Sequence, residues 1–171
     1  MNPNVQLGYQ YLYGQGVKRN EKKAVRLFQL ATSEGDADGE AWLAFCYFQG
    51  KGIEKNEKEA LRLSELGVEK GHPFAYGNLG FYYCYCASPD QKITNKGVEL
   101  VRKGAQLGNS YAISLLATCY FYGTGVKKDF KEAARLSGLA AEKKNPNPTA
   151  SYNLGKCYQL GWGVEHNPNE T

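Results

Sequence analysis

The chain has 171 residues, of which 42% are hydrophobic and 22% charged, and this composition excludes a disordered segment. Its 21 basic and 17 acidic side chains are scattered, and a net charge of +4 argues against a nucleic-acid-binding protein. No stretch approaches the roughly 18 apolar residues of a membrane span. Residues 1–16 lack a secretory signal, so we expect a cytoplasmic protein, or a secretory one if the chain is a fragment.

A short motif recurs five times along the chain. It consists of a leucine, a small residue directly after it, and a tyrosine four positions after the leucine. The steps between successive leucines are 36, 36, 37 and 38 residues, a period typical of helical repeat proteins. The motif copies begin at Leu7, Leu43, Leu79, Leu116 and Leu154.

Turn and capping residues divide each repeat into two predicted helices. Four of the leucines are followed, seven residues later, by Gly-x-Gly, which predicts a helix end because glycine tolerates positive φ. Asn20, Asn56 and Asp129 then predict N-caps of a second helix. Glu59 and Glu132 follow two of these caps with the spacing of a capping box. The glycine pairs are Gly14 and Gly16, Gly50 and Gly52, Gly123 and Gly125, and Gly161 and Gly163.

Apolar and small residues recur at spacings of three and four, which indicates that both helices of each repeat are amphipathic. A unit of about 36 residues cannot bury its own apolar face, so neighbouring units must stack, and small residues let their helices approach closely. The sequence therefore predicts one all-α solenoid domain of stacked antiparallel helix pairs. The predicted units are residues 1–36, 37–72, 73–109, 110–147 and a partial unit at 148–171.

The combined pattern resembles the Sel-one-like repeat, a relative of the tetratricopeptide repeat, over essentially the whole chain. Its strongest copies are Tyr-Leu-Tyr-Gly-Gln-Gly-Val at 11–17 and Tyr-Phe-Tyr-Gly-Thr-Gly-Val at 120–126. The resemblance implies a right-handed, tetratricopeptide-like superhelix that binds other proteins as an adaptor or scaffold. It implies no catalytic residue and no cofactor.

Three repeats depart from the pattern. In the third, Cys86 and Ser88 replace the two glycines and one residue is inserted near Pro89, so we expect a different turn there. The fourth is extended by two residues around 145–148, and the fifth stops at Thr171, where its second helix would begin. Because solenoids normally end in polar capping elements, we expect either a fragment or an apolar end that allows end-to-end self-association.

The resemblance also implies that the first helices line a concave surface. Helix periodicity places the residues two before, two after, five after and six after each leucine on the face opposite the leucine. Aromatic residues fill these positions, so we expect a groove that binds a peptide or partner protein. The alternative is that the rings pack between adjacent first helices. The predicted contact residues are Tyr9, Tyr13, Phe45, Phe48, Phe81, Tyr85, Phe121, Tyr122 and Tyr152.

The cysteines predict neither disulfides nor a metal site. Cys46, Cys119 and Cys157 each lie three residues after a leucine, and such equivalent positions on neighbouring helices are about 8–10 Å apart, too far for a disulfide. We therefore expect buried thiols and a reducing compartment. Cys84 and Cys86 lack a second pair of ligands that would complete a zinc site.

No residue pattern predicts an enzyme. His72 and His166 lie in predicted turns without a neighbouring nucleophile, and the Gly-x-Gly turns lack the Lys-Ser/Thr of a phosphate loop. Basic runs such as Lys18-Arg19 and Lys127-Lys128 predict a solvated edge, with a patch for an acidic partner as the alternative. We expect a scaffold or adaptor; the alternatives are a regulatory or targeting module of a larger protein and, less favoured by the sequence, a hydrolase.

Overall fold

The computed structural model describes residues 2–87, 90–142, 155–159 and 161. Within these residues the chain forms helices and no β-strand, so the all-α prediction is confirmed. A short helical stretch also covers residues 155–159. The longer elements are α1 (Pro3–Tyr13), α2 (Glu21–Ser33), α3 (Ala37–Gln49), α4 (Glu57–Glu69), α5 (Pro73–Phe81), a π-helical segment (Tyr82–Cys86), α6 (Gln91–Gln106), α7 (Ser110–Tyr122) and α8 (Phe130–Ala141).

The chain divides into two compact units, Met1–Asn78 and Leu79–Thr171. In the first unit α1 packs on α2, α2 on α3 and α3 on α4, so helices consecutive in sequence are neighbours in space. In the second unit α6 packs on the π-helical segment and on α7, and α7 packs on α8. Short turns between neighbours produce helical hairpins, the building blocks that the repeat pattern predicts. One continuous domain over residues 1–171 stays a prediction.

The predicted N-caps are confirmed. Asn20, Asn56 and Asp129 precede α2, α4 and α8, and each side-chain oxygen accepts a hydrogen bond from the backbone N–H three residues further on. The N–O distances are 3.0, 3.1 and 3.0 Å. These bonds satisfy donors that the first turn of a helix leaves without an intrahelical partner.

The capping-box part of the prediction is wrong. The backbone N–H of Asn56 donates to the carbonyl oxygen of Tyr47 at 3.2 Å, so this amide already has an acceptor. Glu59 instead forms a 2.6 Å ion pair with Arg62 on the surface of α4. The equivalent contacts are the backbone bonds of Asn20 to Tyr11 and of Asp129 to Tyr120, and the ion pair of Glu132 with Arg135.

The two glycines of the Gly-x-Gly turn in the second repeat have different roles. Gly50 ends α3 in the left-handed conformation, with φ at 65°, and its N–H donates to the carbonyl oxygen of Cys46. Gly52 also has positive φ, and a Cβ at this position would lie 2.3 Å from the carbonyl oxygen of Glu21. The first glycine therefore ends the helix, and the second lets the turn lie directly against the start of α2.

The second helices are amphipathic as predicted, but the first helices of the second and fourth repeats are not. α2 and α4 each bury four of 13 residues, whereas α3 and α7 each bury eight of 13. The physical reason is that α3 packs on both α2 and α4, and α7 packs on both α6 and α8. A helix covered on two sides needs apolar residues around most of its circumference.

Small residues bring neighbouring helices together, as predicted. A Cβ at Gly39 of α3 would lie 2.6 Å from the Cβ of Ala31 in α2. A Cβ at Gly67 of α4 would lie 2.5 Å from the Cβ of Ala75 in α5. Each contact joins the second helix of one repeat to the first helix of the next, so the missing side chains set the distance between repeats.

The turn of the third repeat differs from the others, as predicted. The chain continues from α5 into the π-helical segment and leaves it at Ala87 in an extended conformation, with φ at −69° and ψ at 167°. Asp90 caps α6 by accepting hydrogen bonds from the N–H groups of Lys92 and Ile93. α6 has 16 residues, against 13 in α2 and α4, so a longer second helix follows the altered turn. Ser88, Pro89 and residues 145–148 lie outside the described residues.

Candidate partner-binding surface

The predicted aromatic face divides into a buried and an exposed row. Five residues after the repeat leucine, Leu12, Phe48 and Phe121 are only 1%, 5% and 5% exposed. Six residues after it, Tyr13, Tyr85 and Tyr122 are 39%, 40% and 55% exposed. Gln49, the corresponding residue of the second repeat, is exposed as well. The sixth position is therefore the one that repeatedly presents a side chain to solvent.

The remaining predicted contact residues lie closer to the core. Phe45 is buried, whereas Tyr9 and Phe81 are partly buried. Phe45, Phe48 and Phe121 thus contribute to core packing. Tyr152 lies outside the described residues.

A cluster of aromatic rings in the first unit surrounds Trp42. The indole stacks on Phe28 at a centroid distance of 5.8 Å and an interplanar angle of 16°. Phe74 of α5 approaches the indole most closely, with the ring centroids 4.5 Å apart. The other rings within 6.2 Å of the indole are Tyr9, Tyr13 and Phe45.

The periodic pattern contains no signal for Trp42. The tryptophan directly precedes Leu43, and the residues directly before the other described repeat leucines are Gln6, Asn78 and Leu115. A motif found by comparing repeats cannot detect a residue that occurs in one copy. Trp42 nevertheless connects its own helix, α3, to α1, α2 and α5 through ring contacts.

Tyr13 is held in place by this cluster. Its ring lies 4.8 Å from that of Tyr9, and the Nζ of Lys51 lies 5.7 Å from the Tyr13 centroid. Partial burial and the neighbouring Tyr9 raise the pKa of Tyr13, so the phenol stays protonated at neutral pH. Tyr13 therefore presents part of its ring and a neutral hydroxyl to solvent.

The exposed tyrosines of the second unit are also supported by rings. Tyr85 lies 5.5 Å from Phe81, and Tyr122 lies 5.0 Å from Phe121. The hydroxyl of Tyr85 is 3.6 Å from the sulfur of Cys119. Burial and the adjacent Cys119 raise the pKa of Tyr85, so it too stays protonated. A supporting ring reduces the side-chain entropy that a tyrosine loses on binding.

Polar groups at the start of α3 hold the turn between α4 and α5. The Nε2 of His72 lies 2.8 Å from a carboxylate oxygen of Asp38. Next to this pair, the Nζ of Lys70 lies 2.7 Å from Glu40, whose side chain is 5% exposed. His72 lies in a turn, as predicted, and its contacts are structural. His166 lies outside the described residues.

Three of the five cysteines are buried, as predicted. Cys46, Cys119 and Cys157 are buried, and no described cysteine forms a disulfide. Burial raises the pKa of Cys46 to about 12, so this thiol stays protonated and unreactive at neutral pH. Among the described residues, no group of three or more His, Cys, Asp or Glu side chains is arranged to hold a metal ion.

Two further observations concern the basic runs in the turns and the character of the helices. Lys18, Arg19, Lys127 and Lys128 are exposed, as expected for a solvated edge. None of the helices within the described ranges is long and apolar enough to cross a bilayer.

The paired helices, the left-handed glycine turns and the small residues between repeats define a helical-hairpin repeat protein. The Sel1 repeat model matches residues 4–36, 37–72, 73–109, 110–145 and 148–170. Because these matches cover nearly the whole sequence, the chain belongs to the Sel1 repeat family.

Curated relatives match part of the chain. The chain is 30% identical over 82 residues to the ERAD-associated E3 ubiquitin-protein ligase component HRD3B of Arabidopsis thaliana. This aligned region covers 48% of this chain and 13% of that protein. The chain is 37% identical over 74 residues to Protein sel-1 homolog 2 of Homo sapiens, which covers 43% of this chain and 11% of that protein. The matched regions are thus small parts of these relatives.

Solved structures confirm the solenoid fold. The protective antigen c5321 of uropathogenic Escherichia coli, which displays an SLR fold, is similar with a TM-score of 0.67 and 32% identity. That similarity covers 96% of this chain and 34% of c5321. A Sel1 repeat protein from Oxalobacter formigenes has a TM-score of 0.63 and 26% identity, over 98% of this chain and 70% of that protein.

Proposed function

We propose that this chain is a scaffold or adaptor that binds another protein through the tyrosines six residues after the repeat leucines. The observation that supports this is the recurrence of Tyr13, Tyr85 and Tyr122 at one repeat position, each exposed and each next to a second aromatic ring. Tyrosine is enriched at interfaces because its ring gives a large contact area and its hydroxyl gives a hydrogen bond.

The chemistry of these side chains fits a peptide segment with apolar side chains. The ring faces bury apolar groups, and the protonated hydroxyl of Tyr13 can donate to a backbone carbonyl group of a peptide. No step of this proposal requires a catalytic group or a cofactor.

The relatives support a role in assemblies. The name of the Arabidopsis relative describes it as a component of a ubiquitin ligase, hence as one part of a larger complex. The matched regions are 13% and 11% of the two relatives' lengths, which supports the alternative that these repeats are a regulatory or targeting module of a longer protein. A scaffold or adaptor and a regulatory or targeting module would both require the same protein-binding surface.

The test compares two triple variants. The first replaces Tyr13, Tyr85 and Tyr122 with Ser. The matched control replaces three exposed leucines outside the tyrosine row with Ser as well. They are Leu30, Leu107 and Leu139, which are 53%, 46% and 40% exposed. Circular dichroism and thermal melting first establish that both variants fold. Affinity capture from the source cells identifies a partner, and titration calorimetry then measures its affinity for all three proteins.

The tyrosine variant is expected to bind the partner at least about tenfold more weakly, because each interface tyrosine typically contributes about 1 kcal/mol or more. The leucine variant should bind like the unmodified chain. Equal loss in both variants, or full retention by the tyrosine variant, contradicts the proposed surface.

A further inference from the structure

A lysine in the first unit lies over two aromatic rings, one of which belongs to the exposed Tyr13. The Nζ of Lys51 is 5.1 Å from the ring centroid of Phe45 and 5.7 Å from that of Tyr13. Lys51 is the middle residue of the Gly-x-Gly turn that follows α3, so this turn brings an ammonium group to the exposed tyrosine. Among the described residues, no carboxylate forms an ion pair with Lys51.

The second unit contains a similar group. The Nζ of Lys128 lies 5.8 Å from the ring centroid of Phe130. The ring of Phe130 is 5.4 Å from that of Phe121, which in turn lies 5.0 Å from the ring of the exposed Tyr122. Lys128 is exposed and, within the ranges that the structure describes, forms no ion pair with a carboxylate. Each unit therefore has a cation and an exposed tyrosine in one aromatic cluster.

The turn of the fourth repeat lacks the carboxylate that neutralises the equivalent cation in other repeats. Lys128 lies five residues after the glycine that ends its first helix, and the first two repeats also carry a cation at this position. Each of those cations forms an ion pair with a glutamate two residues further on, Arg19 with Glu21 and Lys55 with Glu57. In the fourth repeat that residue is Phe130. The ammonium group of Lys128 thus contacts a ring where its equivalents contact a carboxylate.

The chemistry of both groups fits a carboxylate that lies next to an apolar side chain. An ammonium group has three N–H donors, and its contact with a ring face leaves donors for an oxygen acceptor. The exposed tyrosine ring beside the ammonium group offers area on which an apolar side chain is buried. A bound segment also excludes water, which strengthens the attraction between opposite charges.

We propose that the partner segment carries Asp or Glu next to apolar residues, and that its carboxylates bind Lys51 in the first unit and Lys128 in the second. This inference rests on the proposed tyrosine surface and specifies what binds there. Side-chain carboxylates are assigned because one bound chain supplies several of them but a single terminal carboxylate, and each unit offers its own cation. An acidic segment also complements the net charge of +4.

Peptide selection on the full chain tests the inference. Random peptides displayed on phage are selected on three folded proteins, whose helix content is first compared by circular dichroism. The unmodified chain should enrich peptides with Asp or Glu beside apolar residues. The variant Lys51→Met with Lys128→Met keeps apolar side chains at both positions but removes both charges, so it should enrich apolar peptides without an acidic preference.

The matched control is the variant Lys58→Met with Lys131→Met. It also removes one exposed charge from each unit, at the second residue of α4 and of α8, where the described part of the chain offers no ring to either lysine. The control should retain the acidic preference, because the charges beside the tyrosines are intact. A loss of that preference in the control would show that net charge alone selects the peptides, which overturns the inference.

Calorimetry then measures one enriched peptide and a version of it in which Asp and Glu are replaced by Asn and Gln. The replacement should weaken binding to the unmodified chain about threefold or more, and should have little effect on binding to the variant that lacks Lys51 and Lys128. Added salt should weaken the acidic peptide alone. An equal loss of affinity in both proteins overturns the assignment of the carboxylates to these two lysines.

The remaining outcomes separate this inference from the proposed function. Enriched peptides that show no acidic preference, but require Tyr13, Tyr85 and Tyr122, overturn the inference and leave the tyrosine surface in place. A lack of enriched peptides, or equal enrichment on the variant with these three tyrosines replaced by Ser, overturns the tyrosine surface and the inference with it. Oligothymidine that binds more tightly than the acidic peptides and requires both lysines would assign the cations to nucleic acid, and so contradict the inference.

Discussion

Gly39 of α3 lies so close to Ala31 of α2 that a Cβ on the glycine would come within 2.6 Å of the alanine Cβ. It would also lie 2.9 Å from the backbone nitrogen of Thr32. Two non-bonded carbon atoms prefer a separation of about 3.5–4.0 Å, so any side chain at position 39 must push the helices apart. The contact between the first and second repeats thus depends on a glycine inside a helix.

The first prediction follows from this contact. Gly39→Ala should lower the free energy of unfolding by about 1–3 kcal/mol through overpacking, although alanine is the better helix former. The matched control is Gly138→Ala in α8, where an added Cβ meets no atom within 4 Å. This change should raise stability by about 0.5–1 kcal/mol. Urea unfolding measures both values, and equal signs for the two substitutions would show that the close contact is unimportant.

The second prediction concerns the N-cap of α4. Asn56→Ala removes the acceptor of the Glu59 N–H and should cost about 0.5–2 kcal/mol of stability. Asn56→Asp keeps an oxygen in place and should preserve stability. The backbone bond from residue 56 to Tyr47 survives in both variants, so the difference isolates the side chain. Hydrogen exchange at the Glu59 amide measures the local effect, and equal exchange in the two variants would be the contrary result.

The third prediction concerns acid sensitivity. The hydrogen bond to His72 is the largest cause that lowers the pKa of Asp38 from its ordinary value of 3.8. A carboxyl whose pKa is lower in the folded state contributes stability that is complete above its unfolded pKa and is lost as the pH falls through the folded value. Asp38→Asn should therefore reduce the stability lost below about pH 4. The Asp38 side chain is 37% exposed, so the effect should stay below about 1 kcal/mol.

Melting temperatures at pH 7 and at pH 3 check this prediction. His72→Gln should weaken the acid dependence in the same direction, because it removes the group that lowers the Asp38 pKa. The double variant should show no more than the larger single effect, since both changes remove one interaction. An unchanged acid dependence in Asp38→Asn would assign the acid sensitivity to other carboxyl groups.

The features that repeat could be predicted from the sequence. The helix pairs, the left-handed glycines such as Gly50, and the N-caps such as Asn56 occur in several copies, so comparison between repeats reveals them. A tryptophan directly before the repeat leucine occurs once, and so does a π-helical segment within the part of the chain that the structure describes. Their roles depend on which side chains meet in three dimensions, and periodicity carries no information on that.

The exposed and buried rows could not be separated from the sequence. Periodicity placed Phe121 and Tyr122 on one face. A repeat pattern does not say how many neighbouring helices cover that face, so it cannot tell which of the two residues is buried. In the structure α7 has helices on two sides, so Phe121 is buried and only Tyr122 reaches solvent.

The main-chain hydrogen bond from the N-cap amide of α2, α4 and α8 to the tyrosine carbonyl of the preceding helix bears on how such chains evolve. The bond recurs from Asn20 to Tyr11, from Asn56 to Tyr47 and from Asp129 to Tyr120, and it uses backbone atoms alone. A duplicated repeat therefore carries the means of closing its own turn, whatever side chains it later acquires. Gene duplication can lengthen the array while mutation changes the surface. New binding specificities can therefore arise without a change in the turn that joins the two helices of a repeat.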